Sequence, residues 1–192
     1  MAGRRLLVAV TGTPGTGKSR FAAELAKLVP GASLIEINDI VAQHHLYSRI
    51  DSHGSKIVRM AQLEKRLKDE LKHRRGTTIV VGHLIPEMGI RYDVCVVTRA
   101  RLSRLMKVFA IRKYDMEKTI ENLLAEALDY CGIRARNKAN EVYEVMDDKD
   151  RRAVMLYIRR ISLGMRATRP KPRPISLMHE LLLGIKSGRI RL

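Results

Sequence analysis

Tryptophan is absent from this chain, and phenylalanine and cysteine occur only twice each in 192 residues. With no metal-ligand spacing around Cys95 or Cys131, a disulfide scaffold and a thiolate metal knuckle are both excluded. Cys95 lies inside an apolar run and is expected to be a buried structural thiol, packing like a small hydrophobe. Scarce aromatics leave little on which bases could stack, so contact with a nucleic acid would run through phosphates and weaken with salt. No apolar run approaches the ~20 residues that a membrane-spanning helix needs. The basic start Met1-Ala2-Gly3-Arg4-Arg5 leads into only a short apolar stretch, so a soluble, cytoplasmic protein without a membrane partner is expected.

Acidic residues are also in short supply. Thirty-seven Lys and Arg face 20 Asp and Glu, giving a formal charge of +17, more than handling a small anion requires. Between positions 159 and 192, nine Lys or Arg stand against Glu180 alone. A polyanionic partner, RNA before DNA or membrane, is the leading explanation. The alternative is a solvated surface suited to a salty or hot cytoplasm.

What the chain does have is the run Gly12-Thr13-Pro14-Gly15-Thr16-Gly17-Lys18-Ser19, which fits the phosphate-binding pattern GxxxxGK[ST]. An aliphatic stretch, residues 6–10, precedes it and suits a strand buried on both faces; Phe21, Ala22, Leu25, Ala26 and Leu28 then follow at helical spacing. Strand, loop and helix in that order turn a common pattern into a specific one. Gly15, Thr16 and Gly17 would let successive amides face a phosphate, with the Arg20 amide adding a donor at the helix start. Lys18 would reach the β- and γ-phosphates of ATP, and Ser19 would offer its hydroxyl to Mg2+.

Further strands are expected at 33–37, 77–81 and 93–98, with a weak last one at 142–146. Helices are expected at 57–71, 102–111, 120–128 and 153–161, another starting near Asn38-Asp39. Alternation of this kind predicts an α/β fold with a five-stranded parallel sheet covered by helices on both faces. From Arg166 to Pro174 proline alternates with cations, marking a boundary. Beyond it one amphipathic helix is expected, docked either on the domain or on a partner. The division is therefore 1–164 for the domain and 165–192 for a basic extension. His44, His45 and His53 invite a metal reading, but adjacent histidines on a helix point to different sides and no carboxylate completes the set.

Ile37-Asn38-Asp39-Ile40 with Leu46-Tyr47, Gly82-His83-Leu84, and a run through Arg104-Leu105, Arg112-Lys113-Tyr114, Lys118, Glu121-Asn122 and Ala125-Glu126 make a family visible. Together with the phosphate loop they resemble the adenylate kinase 6 family of ribosome-assembly ATPases, also called Fap7 and here of archaeal type, across roughly residues 5–162. The resemblance implies a small P-loop nucleoside monophosphate kinase with adenylate kinase (ATP + AMP = 2 ADP) and ATPase activities. It would act in maturation of small-subunit rRNA on the pre-ribosome together with ribosomal protein uS11. It also implies an acceptor-binding segment at about 38–61 and a lid at about 111–121. Arg112 would close over the transferred phosphoryl group, with Arg104 a weaker candidate. His83 would lie near the γ-phosphate. Asp39 would position the acceptor's ribose or a magnesium-bound water, or simply cap a helix.

Two positions depart from the family pattern. Val81 stands where an aspartate helps hold magnesium, and Ala42 where an arginine clamps the acceptor phosphate, a task Arg49 would take over. Loss of such groups lowers turnover by orders of magnitude while sparing nucleotide binding. A nucleotide-sensing RNA-binding or ribosomal-protein-binding factor and a small-metabolite kinase are accordingly the alternatives.

Overall fold

The computed structural model describes residues 5–50, 56–171, 173 and 175–190. His53, part of the acceptor-side segment at 51–55, and Pro172 and Pro174 of the boundary segment lie outside the described residues.

The chain runs β1 (Leu6–Thr11), α1 (Lys18–Leu28), β2 (Ser33–Glu36), α2 (Ile37–Gln43), β3 (Tyr47–Ile50), β4 (Lys56–Val58), α3 (Met60–Lys72), β5 (Thr77–Val81), β6 (Tyr92–Thr98), α4 (Leu102–Ile111), α5 (Met116–Ala127), α6 (Tyr130–Ala135), β7 (Ala139–Val145), α7 (Asp148–Ser162) and α8 (Met178–Lys186). Five strands form one sheet in the order β2-β5-β1-β6-β7, every neighbouring pair parallel. β1 holds the centre because Val8, Ala9 and Val10 are wholly buried, as a strand covered on both faces requires. Alternate residues feed two cores. Ala9, Val80, Cys95 and Val97 pack with α2 and α3, whereas Val8, Val10, Val81 and Val96 pack with α1 and α7.

Three local expectations fail. Ile57 and Val58 are not helical: they lie in β4, which pairs antiparallel with β3, and α3 starts only at Met60. The weak last strand expected at 142–146 lies instead at Ala139–Val145 and pairs with β6 along its length. Asp39 is not a helix cap, because α2 already begins at Ile37 behind Glu36.

The segment after α7 folds back onto the domain. Arg169 pairs with Glu141 at 3.0 Å and Arg173 with Asp147 at 3.3 Å. Leu177, Leu181 and Ile190 then join Leu102, Leu105, Phe109, Leu123 and Ala127 in a third core that lies over α4 and α5. Glu180 accepts the Ser103 amide at 3.0 Å, satisfying one of the free donors at the α4 N-terminus. Of the two partners expected for this helix, the domain itself is the one the structure provides.

Candidate phosphate-binding site

The loop between β1 and α1 is built from its own hydrogen bonds. The Thr16 hydroxyl donates to the Thr13 carbonyl at 2.8 Å and lies 2.7 Å from the Thr98 hydroxyl, so the end of β6 braces the loop from beneath. Thr16 is therefore buried and does not line the cleft. Gly15 has φ +91°, and a Cβ there would sit 3.1 Å from Leu105 and 3.2 Å from Val108 of α4. Glycine is required both by the dihedral and by this approach. Gly17 caps α1 in the same left-handed region, with the Arg151 guanidinium 3.7 Å from where its Cβ would be.

A cleft of about 410 Å³ opens above this loop at the carboxyl ends of β1, β2 and β5, and Gly15, Gly17, Lys18, Ser19, Arg20, His83 and Arg112 all line it. The topology thus brings together residues more than ninety positions apart. Lys18 donates from Nζ to the Thr13 carbonyl at 3.1 Å. Enclosure by protein, with Arg112 pushing the same way, lowers its ammonium to about 8. His83 faces the cleft and keeps contact with solvent, yet the surrounding protein and the charge on Lys18 push it down to about 4. At neutral pH it is an uncharged imidazole, able to donate one hydrogen bond and accept another.

A second cleft of about 860 Å³ adjoins the first, and Pro14, Asn38, His83 and Tyr114 line both. Lys56, Glu87, Asn122, Tyr130 and Cys131 are among its other walls. Asp39 and Arg49 are exposed and line neither cleft, and Arg104 stands exposed on α4 away from both. His44 accepts from Arg66 Nε at 3.0 Å, and among the described residues no cluster of His, Cys, Asp or Glu suits a metal on its own. Asp93 lies at the other end of the sheet, accepting the Leu7 amide at 2.8 Å. Cys95 is buried, and burial raises its thiol to about 12, as befits an inert packing residue.

Two groups, one lining the phosphate cleft and one beside its loop, are not evident from the sequence. Glu36 lines the cleft from the end of β2, directly beside Val81 in the parallel register. Burial raises its carboxyl above the usual range, while the neighbouring Ser19 hydroxyl and Lys18 hold it down. In the sequence it looks like one polar residue within an alternating strand, and only the pairing of β2 with β5 reveals its position. Arg151 comes from the start of α7 and lies over the Phe21 ring at 5.4 Å, with one guanidinium nitrogen buried and unpartnered among the described residues.

A network behind the cleft fixes the elements that follow β6. Arg99, immediately after β6, is 1% exposed and pairs with Glu126 at 2.9 Å and with Asp129 and Glu144 at 2.7 Å each. It also donates to the Glu126 carbonyl at 2.8 Å. One guanidinium thus ties β6 to α5, to β7 and to the turn before α6.

Comparison with known proteins agrees with this architecture. The shikimate kinase from Acinetobacter baumannii superposes with a TM-score of 0.52 at 16% identity, covering 84% of this chain and 95% of that one. A Deinococcus radiodurans tunicamycin resistance protein gives 0.52 at 15% identity, covering 87% and 100%. These likenesses establish the P-loop kinase fold. Among curated sequences, a Methanosarcina mazei protein named "Putative adenylate kinase" is 30% identical over 156 residues, covering 73% of this chain and 78% of the relative. One of the same name from Archaeoglobus fulgidus is 33% identical over 141 residues, covering 73% and 72%. Residues 8–129 match the family described as AAA domain (AAA_18). With its phosphate loop, parallel sheet and adjoining clefts, the chain belongs to this P-loop family, alongside the archaeal proteins that carry the adenylate kinase name.

Proposed function

We propose that the protein transfers the γ-phosphoryl group of ATP to a nucleoside monophosphate, AMP in the first instance, and hydrolyses ATP when no acceptor is bound. The observation that carries this reading is the pair of clefts meeting at Pro14, Asn38, His83 and Tyr114, one built on a phosphate loop and the other about 860 Å³, ample for a nucleotide. Phosphoryl transfer asks little covalent chemistry of the protein, so positioning and charge supply most of the rate.

Backbone amides of Gly15, Gly17 and Lys18, with the α1 N-terminus behind them, hold the phosphates. Lys18 and Arg112 supply positive charge on either side of the group in flight. His83, uncharged, orients the attacking oxygen by a hydrogen bond at the junction of the clefts. Mg2+, when bound, would offset the charge on the phosphate oxygens, and the hydroxyl of Ser19 would help to hold it. Asn38, which faces both clefts, suits the acceptor-orienting role better than Asp39 or Arg49.

The finer reading adds a place in small-subunit rRNA maturation, with pre-ribosomal RNA and ribosomal protein uS11 as partners. What supports it is the charge of +17 and the motif resemblance. Product analysis with γ-labelled ATP and Mg2+, with and without AMP, tests the chemistry on wild type and Lys18→Ala. Label in ADP only when AMP is added establishes the kinase. Lys18-dependent free phosphate alone points to an assembly ATPase, and no Lys18-dependent product refutes the reading.

A further inference from the structure

A carboxylate in an anion-binding cleft needs a reason. Glu36 lines the same cavity as Lys18 and Ser19, and the loop beneath is shaped to receive phosphates that would bring several negative charges with them. Set against a triphosphate alone, Glu36 would only repel. Lys18 only tempers that charge, because Nζ donates to the Thr13 carbonyl and, among the described residues, makes no ion pair with the Glu36 carboxylate. Ser19 stands at the opening turn of α1, its hydroxyl beside the Glu36 carboxyl. Glu36 also pairs in register with Val81, which is wholly buried and contributes no oxygen. Paired residues on parallel strands present their side chains to the same face of the sheet, here the face that α1 covers.

We infer that Glu36 is the magnesium carboxylate of this site, supplying with Ser19 the protein's oxygen donors to the divalent cation that accompanies ATP. The inference rests on the phosphoryl-transfer reading above. A hard cation explains the juxtaposition: Mg2+ takes one or two carboxylates together with phosphate oxygens and keeps several waters. The position matters as much as the chemistry. A side chain at the end of β2 reaches the phosphate loop from the strand beyond β5, so the metal carboxylate has moved one strand outward in the sheet, and Val81 has been released to the core beneath α1.

The test separates metal from nucleotide. Affinity for the non-hydrolysable β,γ-imido analogue of ATP is measured by calorimetry with Mg2+ and with EDTA, on wild type, Glu36→Gln and Lys18→Ala. Glu36→Gln keeps the size and shape of the side chain. It is expected to bind the metal-free analogue at least as tightly as wild type, since a repulsive charge is gone, and to lose ~10–100-fold of the Mg2+ enhancement. Mn2+ replacing Mg2+ should show the same loss in the nucleotide-dependent retention of its paramagnetic signal. An undiminished Mg2+ enhancement in Glu36→Gln overturns the assignment. Failure of wild type to bind the analogue under either condition overturns the phosphoryl-transfer reading instead.

Discussion

Replacing Arg99 by Met should remove a third or more of the folding stability, and the structure says why. The side chain is 1% exposed and stands among three carboxylates: Glu126, 2% exposed, Glu144, 8% exposed, and Asp129, 19% exposed. Methionine fills much of the volume but leaves those charges, among the described residues, with Arg136 alone, which is half exposed and reaches Asp129 and Glu144 but not Glu126. Glu126 would retain one donor, the Ala100 amide at 3.0 Å. Breaking a buried pair from one side costs about 3–5 kcal/mol, mostly because the remaining charge has lost both water and partner. With a urea slope of about 2 kcal/mol per molar, the midpoint at pH 7.5 should fall by roughly 1.5–2.5 M.

Acid should narrow the gap. Burial, with Asp129 beside it, already raises the Glu144 carboxyl in the wild type. Without Arg99 the folded-state Glu144 carboxyl would lie further above its unfolded value, so the folded variant takes up a proton there first as pH falls. The deficit is then full at neutral pH and shrinks toward pH 5. Arg99→Met/Glu126→Gln should recover more than half of the loss, as expected if the penalty is an unpaired charge. A loss below about 1 kcal/mol at pH 7.5, or one that ignores pH, would refute the reasoning.

Lys18 should make nucleotide binding depend on alkali. Its ammonium is held at about 8 by burial, and bound phosphates would raise it again, so ATP binding takes up about 0.9 proton at pH 9 and almost none at pH 6.5. Calorimetry in two buffers of different ionisation enthalpy reads this directly; equal uptake at both pH values would show that Lys18 does not meet the phosphates. At the far end of the chain, Leu181→Ala should cost about 2–4 kcal/mol, because the side chain is 4% exposed within the core over α4. Since α4 ends at Arg112 and packs on Gly15, the same change should weaken ATP binding. Faster hydrogen exchange in α8 with unaltered affinity would instead mark the helix as a mere appendage.

How legible all this was depended on burial. Strands β1, β5 and β6 read directly from the sequence because a strand covered on both faces is apolar or β-branched along most of its length, and the loop after β1 carries its chemistry in residue types. The β3-β4 hairpin was not legible, since its residues are mostly exposed and Ile57 and Val58 fall at helical spacing with the apolar residues of α3. Asp129 breaks α5 from α6 in a left-handed conformation, and its carboxylate meets Arg99, thirty residues earlier, a partner that sequence spacing does not reveal. Glu36 and Arg151 were missed for the same kind of reason. Each acquires its meaning from a neighbour across the sheet or the loop, and sequence spacing does not encode strand register.

The core over α4 also sets an order of events during synthesis. Leu102, Leu105 and Phe109 emerge from the ribosome long before Leu177 and Leu181, which cover them. By then β1 can already have paired with β5 and β6, so the phosphate loop can form while an oily flank of α4 is still bare. Chains stopped short of α8 should therefore be sticky and prone to chaperone capture, and the last helix serves as the seal that ends that vulnerable interval.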